Sequence, residues 1–132
     1  FESFDLLISN PPYRRVHTGR INPTRQRAIA RHELAGSAAE VFAAGKALLR
    51  TGGRLTVIYP AGRMSYLLHA AQESGFSPKK LTVVYSDPSG PAKLVHLESQ
   101  KGGGEELRIK PPFYIYGEDG AYTDAMRELY ER

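Results

Sequence analysis

Cysteine is absent from all 132 residues, which excludes disulfides and thiolate metal sites. Long apolar runs are absent as well, so no segment reads as a membrane span. No signal peptide is visible. The chain opens on Phe1-Glu2-Ser3-Phe4, abruptly, in the manner of a piece of a longer protein. No pair among the four histidines has metal-ligand spacing, so no metal site is expected. Serine, histidine and aspartate all occur, but nothing places them as a catalytic triad. There is no internal repeat and no sign of a second domain. A cytoplasmic protein fits this set of absences.

One further absence is local. No acid interrupts the stretch between Tyr13 and Glu33, which carries Arg14, Arg15, Arg20, Arg25, Arg27 and Arg31 together with His17 and His32. The net charge of +4 is therefore concentrated there. Most charge runs are solvated faces of loops and helices. A cluster of arginines can equally be a phosphate-contacting patch, because the planar guanidinium fork suits phosphate.

What is present is otherwise ordinary for a globular domain, with 41% hydrophobic and 24% charged residues. A chain of this length buries roughly two-thirds of its unfolded surface. The most informative stretch is Asp5-Leu6-Leu7-Ile8-Ser9-Asn10-Pro11-Pro12-Tyr13. Residues 4–8 are nearly all apolar, as in a buried parallel strand. Asn-Pro-Pro-Tyr then falls at the strand's carboxyl end, where open α/β sheets hold their sites. The bland reading is a strand followed by a turn, since Asn-Pro is a common turn opener.

The chemical reading is sharper. An exocyclic amine such as that of adenine is a poor nucleophile, because its lone pair is delocalised into the ring. Asn10 offers a side-chain carbonyl and Pro11 a backbone carbonyl as acceptors for the two amino hydrogens. The prolines Pro11 and Pro12 fix φ and remove backbone donors that would repel an NH2 group. Tyr13 offers a face for stacking, typically about 1–3 kcal/mol per base. The target base has to be flipped out or single-stranded to reach such a site.

Hydropathy patterning supplies the rest of the frame. Residues 10–23 read as a long loop, broken by Gly19, Asn22 and Pro23. A helix runs from about Thr24 or later to Arg50, with Leu34, Ala38, Val41, Phe42, Gly45, Leu48 and Leu49 on its apolar stripe. Gly52-Gly53 ends it in a left-handed cap. Arg54–Tyr59 is a strand, broken by Pro60 and Gly62. Arg63–Ser74 is a short helix burying Met64, Leu67, Leu68 and Ala71, and it stops at Gly75. Strands Lys80–Ser86 and Lys93–Ser99 form an antiparallel hairpin around Asp87-Pro88-Ser89-Gly90-Pro91. Gly102-Gly103-Gly104 is a turn, Leu107–Lys110 a short strand and Phe113–Tyr116 extended. Thr123–Tyr130 is a helix with Thr123 as N-cap. His69 and His96 read as surface or packing histidines. Tyr59, Tyr85, Phe113, Tyr114 and Tyr116 read as core or rim aromatics. Lys79, Lys80 and Lys93 could extend a basic surface.

Asn10-Pro11-Pro12-Tyr13 resembles the catalytic motif of amino methyltransferases. The element order resembles the C-terminal half of a Rossmann-like S-adenosylmethionine-dependent methyltransferase: fourth to seventh strands of the sheet, the last two a reversed hairpin, with flanking helices. Within that fold the chain is most similar to bacterial tRNA (adenine-N6) methyltransferases of the small-methyltransferase-domain group. The segments carrying the likeness are Ala30-Arg31-His32-Glu33, Leu49-Arg50-Thr51-Gly52-Gly53-Arg54, Pro60-Ala61-Gly62-Arg63, Pro91-Ala92-Lys93, Pro111-Pro112 and Tyr122-Thr123. The resemblance implies a catalytic role for Asn10, Pro11, Pro12 and Tyr13, cofactor contact by Asn10, and RNA contact by the six arginines. Arg31-His32-Glu33 could present Arg31 to RNA, or His32 could cap and pack the helix.

The resemblance also implies a glycine-rich strand–turn–helix and an acidic ribose-binding residue upstream of the motif, which these residues do not contain. The chain alone is therefore expected to be inactive. Strand Phe4–Ser9 is expected to have an open edge through which the chain self-associates. Rival readings are a protein-glutamine methyltransferase, an rRNA or DNA amino methyltransferase, a non-catalytic RNA-binding module and an interaction domain with an open sheet edge.

Overall fold

The computed structural model describes residues 38–130 in full and the backbone of strand Phe4–Ser9. Strand β1 is Phe4–Ser9, and helix α1 is described over residues 38–48. Strand β2 is Leu49–Pro60, followed by a 3-10 turn at Ala61–Arg63 and helix α2 at Met64–Glu73. Strands β3 (Phe76–Tyr85) and β4 (Ala92–Lys101) come next. Two short strands, β5 (Arg108–Ile109) and β6 (Phe113–Tyr114), precede helix α3 (Asp124–Tyr130).

The six strands form one sheet in the order β1-β2-β4-β3-β5, with β6 also paired to β3. β1 and β2 are parallel, with Ser9 opposite Val57. β4 runs antiparallel to both β2 and β3. A parallel pair needs a crossover, and the segment containing α1 supplies it; the antiparallel pair β3–β4 needs only a short connection. The hairpin of β3 and β4 is the expected reversed pair.

Alternation in the strands explains the layering. Leu55, Val57 and Tyr59 of β2 and Val95, Leu97 and Ser99 of β4 are buried at every second position, as one face of a pleated sheet requires. They join Phe76 and Leu81 of β3, Ala38 and Phe42 of α1, and Leu67 and Ala71 of α2 in one cluster. Both helices thus cover the same face. The Phe42 and Phe76 rings meet at 5.4 Å and 60°, a tilted geometry that aromatic quadrupoles favour. Met64 and Leu68 are only partly buried against this core. The polar member, Ser99, donates its hydroxyl to the Leu55 carbonyl at 3.0 Å.

Most boundaries differ from the sequence reading by a residue or two, and two corrections are larger. Helix α1 stops at residue 48 rather than Arg50, because Leu49 already pairs with Phe4 of β1. The next partner pair is Leu6 with Arg54, so the intervening residues of β2 bulge out of the ladder. Gly52 does have the expected positive φ, +87°, but it serves this bulge inside β2. The regular parallel ladder starts at Arg54, as the patterning indicated. The second correction concerns β3, which begins at Phe76 rather than Lys80. Pro78, inside the added stretch, is accommodated beside a bulge between Pro78 and Lys80, where proline is tolerated.

The remaining elements follow their local chemistry. Gly75 (φ +79°) closes α2, its N–H donating to Gln72 at 3.1 Å. In the β3–β4 turn, Asp87 Oδ1 accepts from the Ser89 N–H at 2.8 Å and the Ser89 hydroxyl at 2.6 Å, an Asx-type turn. Thr123 is the N-cap of α3: its hydroxyl accepts from the Met126 N–H at 3.2 Å and donates to the Tyr114 carbonyl at 2.6 Å.

Candidate active site at the carboxyl end of the sheet

β1 ends at Ser9, and Asn10 is the next residue in the chain. The motif residues Asn10, Pro11, Pro12 and Tyr13 lie outside the described residues, as do Arg14, Arg15, Arg20, Arg25, Arg27 and Arg31. What is described is the ground beside them. Because Ser9 faces Val57 in a parallel pair, the chain leaving β1 emerges on the side where Tyr59, Pro60 and the 3-10 turn terminate β2.

That side carries Tyr59, a core aromatic as expected, together with Arg63 and Tyr66, a pair that the sequence reading did not single out. Tyr59 is fully buried. Burial pushes its hydroxyl pKa upward, and the positive charge of Arg63 offsets part of that rise. The Arg63 guanidinium lies 4.3 Å from the centroid of the Tyr66 ring, within range for a cation–π interaction. Tyr66 itself is 47% exposed, so the pair stands at the rim. The spacing i, i+3 at the start of a helix was a legible signal for such a contact. No acid occupies the first turn of α2.

Farther along the same end is a cleft of about 570 Å³ lined by Asp87, Pro88, Ser89, Tyr116, Gly117, Glu118 and Gly120. It lies by β3 and β6, three and four strand steps from β1. At about 4.8 Å per step, that is roughly 14–19 Å away. Asp87 and Glu118 give it carboxylates, the wrong sign for RNA phosphate. Hydrogen bonds from the Ser89 hydroxyl and N–H, with a smaller one from Gly90, hold the Asp87 carboxyl below its usual pKa. A second groove of about 340 Å³, lined by Gln72, Phe76, Ser77, Pro78, Gly103, Gly104 and Glu105, sits at the opposite end, where β3 begins. Both lie away from the carboxyl end of β1.

Other candidates resolve simply. Gly102 has φ +66° and donates to the Gly75 carbonyl at 3.0 Å, so the triple glycine is a turn. His69 is exposed and lies 3.8 Å from Glu73; His96 is half-buried in β4. Lys80 lies 3.8 Å from Glu98, Lys79 donates to the Gly104 carbonyl at 3.0 Å, and Lys93 sits by the far turn. They do not form one patch with the carboxyl end of β1. No helix among the described residues is long and apolar enough to cross a membrane.

The fold defined by this strand order, with its reversed terminal hairpin, is that of the Rossmann-like methyltransferases. A crystal structure of a predicted O-methyltransferase from Agrobacterium tumefaciens superposes with a TM-score of 0.75 at 19% identity, covering 98% of this chain and 52% of that one. In sequence the chain is similar to bacterial proteins named tRNA1(Val) (adenine(37)-N6)-methyltransferase. The protein of that name from Phocaeicola vulgatus is 32% identical over 139 residues, spanning 96% of this chain and 54% of its own length. The one from Dyadobacter fermentans is 25% identical over 128 residues, spanning 96% and 52%. The chain thus spans about half the length of the curated relatives it matches. No family model matches the sequence.

Proposed function

We propose that the protein containing this chain is an S-adenosylmethionine-dependent methyltransferase that modifies the N6 amino group of an adenine in tRNA. The observation carrying this reading is a parallel strand ending at Ser9 immediately before Asn10-Pro11-Pro12-Tyr13, in a chain similar along 96% of its length to proteins named for that reaction. When bound, S-adenosylmethionine supplies an electrophilic methyl carbon on a sulfonium. Asn10 Oδ1 and the Pro11 carbonyl accept the two amino hydrogens and hold the nitrogen in place. Pro12 keeps the loop rigid and free of a competing donor. Tyr13 stacks on the flipped base. Asn10 also borders the cofactor.

The rate advantage comes from positioning and from acceptors fixed in advance. Arg14, Arg15, Arg20, Arg25, Arg27 and Arg31 contact the RNA backbone. This activity belongs to tRNA processing and so to the cytoplasm. The 132-residue chain alone is inactive, because the elements holding most of the cofactor lie outside it.

The test is labelled methyl transfer by the full-length protein, offered unmodified tRNA, rRNA, DNA and a release-factor-type protein bearing a glutamine. Transfer to tRNA that disappears in Asn10→Ala, with tRNA binding retained, supports the proposal. Transfer to protein glutamine instead, or tRNA binding without any transfer, overturns it.

A further inference from the structure

The cleft by β3 and β6 has no part in the assignments above. One wall is the β3–β4 turn from Asp87 to Ser89; the other follows β6 and carries Tyr116, Glu118 and Gly120. Hydrogen bonds fix both walls. The Tyr116 N–H donates to the Ser86 carbonyl at 2.7 Å and ties one wall to the other. The Gly117 N–H donates to the Ala121 carbonyl at 2.9 Å, and the Ala121 N–H donates to Asp119 Oδ1 at 3.0 Å. The space of about 570 Å³ between the walls lies within the range of small-molecule sites. Being preformed, it lowers the ordering cost of a complex.

The aromatic wall of this cleft favours a ring as occupant. Tyr116 stacks on Tyr122 at 5.1 Å and 17°, and Tyr122 in turn meets Tyr130 at 5.7 Å. A second ring therefore braces Tyr116 before anything binds. Tyr59 is fully buried in the core, whereas Tyr116 keeps 37% of its surface exposed. A braced tyrosine open at the side of a cavity is a platform for a further flat ring.

The polar groups select among rings. Carboxylates accept and never donate, so Glu118 and Asp87 repel phosphate and attract N–H groups. Asp87 already receives the Ser89 N–H and hydroxyl on Oδ1, which leaves Glu118 as the chief reader. An exocyclic amino group, such as cytosine N4, donates to such an acceptor. Uracil has no amino group, and its N3–H lies between two carbonyl oxygens that repel a carboxylate. A base seated here leaves its charged phosphates outside, at the mouth.

We infer that the cleft between the β3–β4 turn and the turn after β6 takes an unpaired, amino-bearing base of an RNA strand, stacked on Tyr116 and read by the Glu118 carboxylate. This rests on the tRNA-methylation reading and adds a specificity contact to it. β3 runs parallel to β1 and β2, since β4 is antiparallel to both β2 and β3. The cleft therefore stands at the same end of the sheet as the carboxyl end of β1, roughly 14–19 Å along it. A few unpaired nucleotides bridge that distance.

The experiment compares cytidine and uridine tetranucleotides binding to the full-length protein, with thermal unfolding run on every variant. The wild type should favour the cytidine tetramer by about tenfold. Glu118→Gln keeps the side chain's size, but its amide offers donor and acceptor together and suits uracil as well. Cytidine binding should fall and uridine binding rise, so that the preference disappears. Tyr116→Leu should weaken both tetramers by about tenfold. An equal rise for both tetramers in Glu118→Gln would mean that the acid only repels phosphate, and would overturn the inference. A wild type without the preference overturns it too, as does cytidine monophosphate bound as tightly as the tetramer. So does a tetra-arginine peptide held by the wild type and lost in Glu118→Gln, in place of any base preference. If the wild type methylates tRNA and shows no preference, only this inference fails. If the wild type binds neither tetramer and methylates a protein, the functional reading fails with it.

Discussion

Lys101 Nζ donates to the Leu49 carbonyl at 2.6 Å, and to the Lys46 carbonyl at the same distance. The last residue of β4 thereby closes the carboxyl end of helix α1, across more than fifty positions of sequence. Helix ends leave carbonyls without intrahelical partners, and a cation there is favoured by the helix dipole. Charge-assisted hydrogen bonds of this kind contribute about 1.5–3 kcal/mol, less where water has access. Lys101→Met should lower stability by about 1–2 kcal/mol. Urea unfolding should show a lower midpoint at an unchanged slope, and an unshifted midpoint would remove the capping role.

At Gly45, α1 packs closely on the sheet. A Cβ added there would lie 2.9 Å from Leu55 Cδ2 and 3.2 Å from Phe76 Cζ. Leu55 is 1% exposed and Phe76 2%, so neither can move into solvent. Alanine in a helix gains about 1 kcal/mol over glycine, whereas overpacking a tight core costs about 1–3 kcal/mol. Gly45→Ala should therefore be destabilising by about 1 kcal/mol net. A thermal midpoint above that of the parent would show that the helix withdraws without strain.

Local sequence alone conveyed β1, the hairpin and the Thr123 cap because each is decided within a few residues. An apolar run, a Pro/Gly turn and a capping hydroxyl carry their own physics. The start of β2 was not legible, because the bulge between Leu49 and Arg54 is a property of pairing with Phe4 and Leu6. The start of β3 was not legible either, because a proline such as Pro78 fits a paired strand only beside a bulge, and that bulge is a property of pairing with β4. At the site, Asn-Pro-Pro-Tyr could be read from its chemistry before any fold was known. The Arg63–Tyr66 contact was legible from its i, i+3 spacing, but its place at the end of β2, beside β1, was not. Similarly, the acids of the cleft near β6 become neighbours only when residues 87 and 118 are brought together by the tail.

Tyr122 stacks on Tyr116 at 5.1 Å and 17°, and meets Tyr130 at 5.7 Å. A hydrogen bond with Tyr130 is the main cause that pushes its pKa up to about 12, followed by charge repulsion from Tyr130 and then by the same two effects from Tyr116. A pKa raised in the folded state means the neutral form is the one the fold favours. That contribution is complete below the ordinary tyrosine value of about 10 and is lost as pH rises through about 12. Tyrosinate absorbance should show a titration displaced to high pH, returning toward the ordinary value in Tyr130→Phe. Superimposable titrations of the two proteins would exclude the coupling.

β1 is an end strand of the described sheet, paired to β2 alone in the strand order. Its sequence, Phe-Asp-Leu-Leu-Ile-Ser, has one charge in six residues, and a strand edge presents a row of backbone donors and acceptors. Such an edge recruits another strand unless charge, proline or a covering element prevents it. The 132-residue chain should therefore self-associate through β1, with an average mass that climbs with concentration in light scattering. Hydrogen exchange should localise the effect, with the amides of Phe4–Ser9 gaining protection as concentration rises while those of β4 stay unchanged. A monomer at every concentration, with exchange at Phe4–Ser9 independent of dilution, would mean that the edge of β1 recruits no second copy.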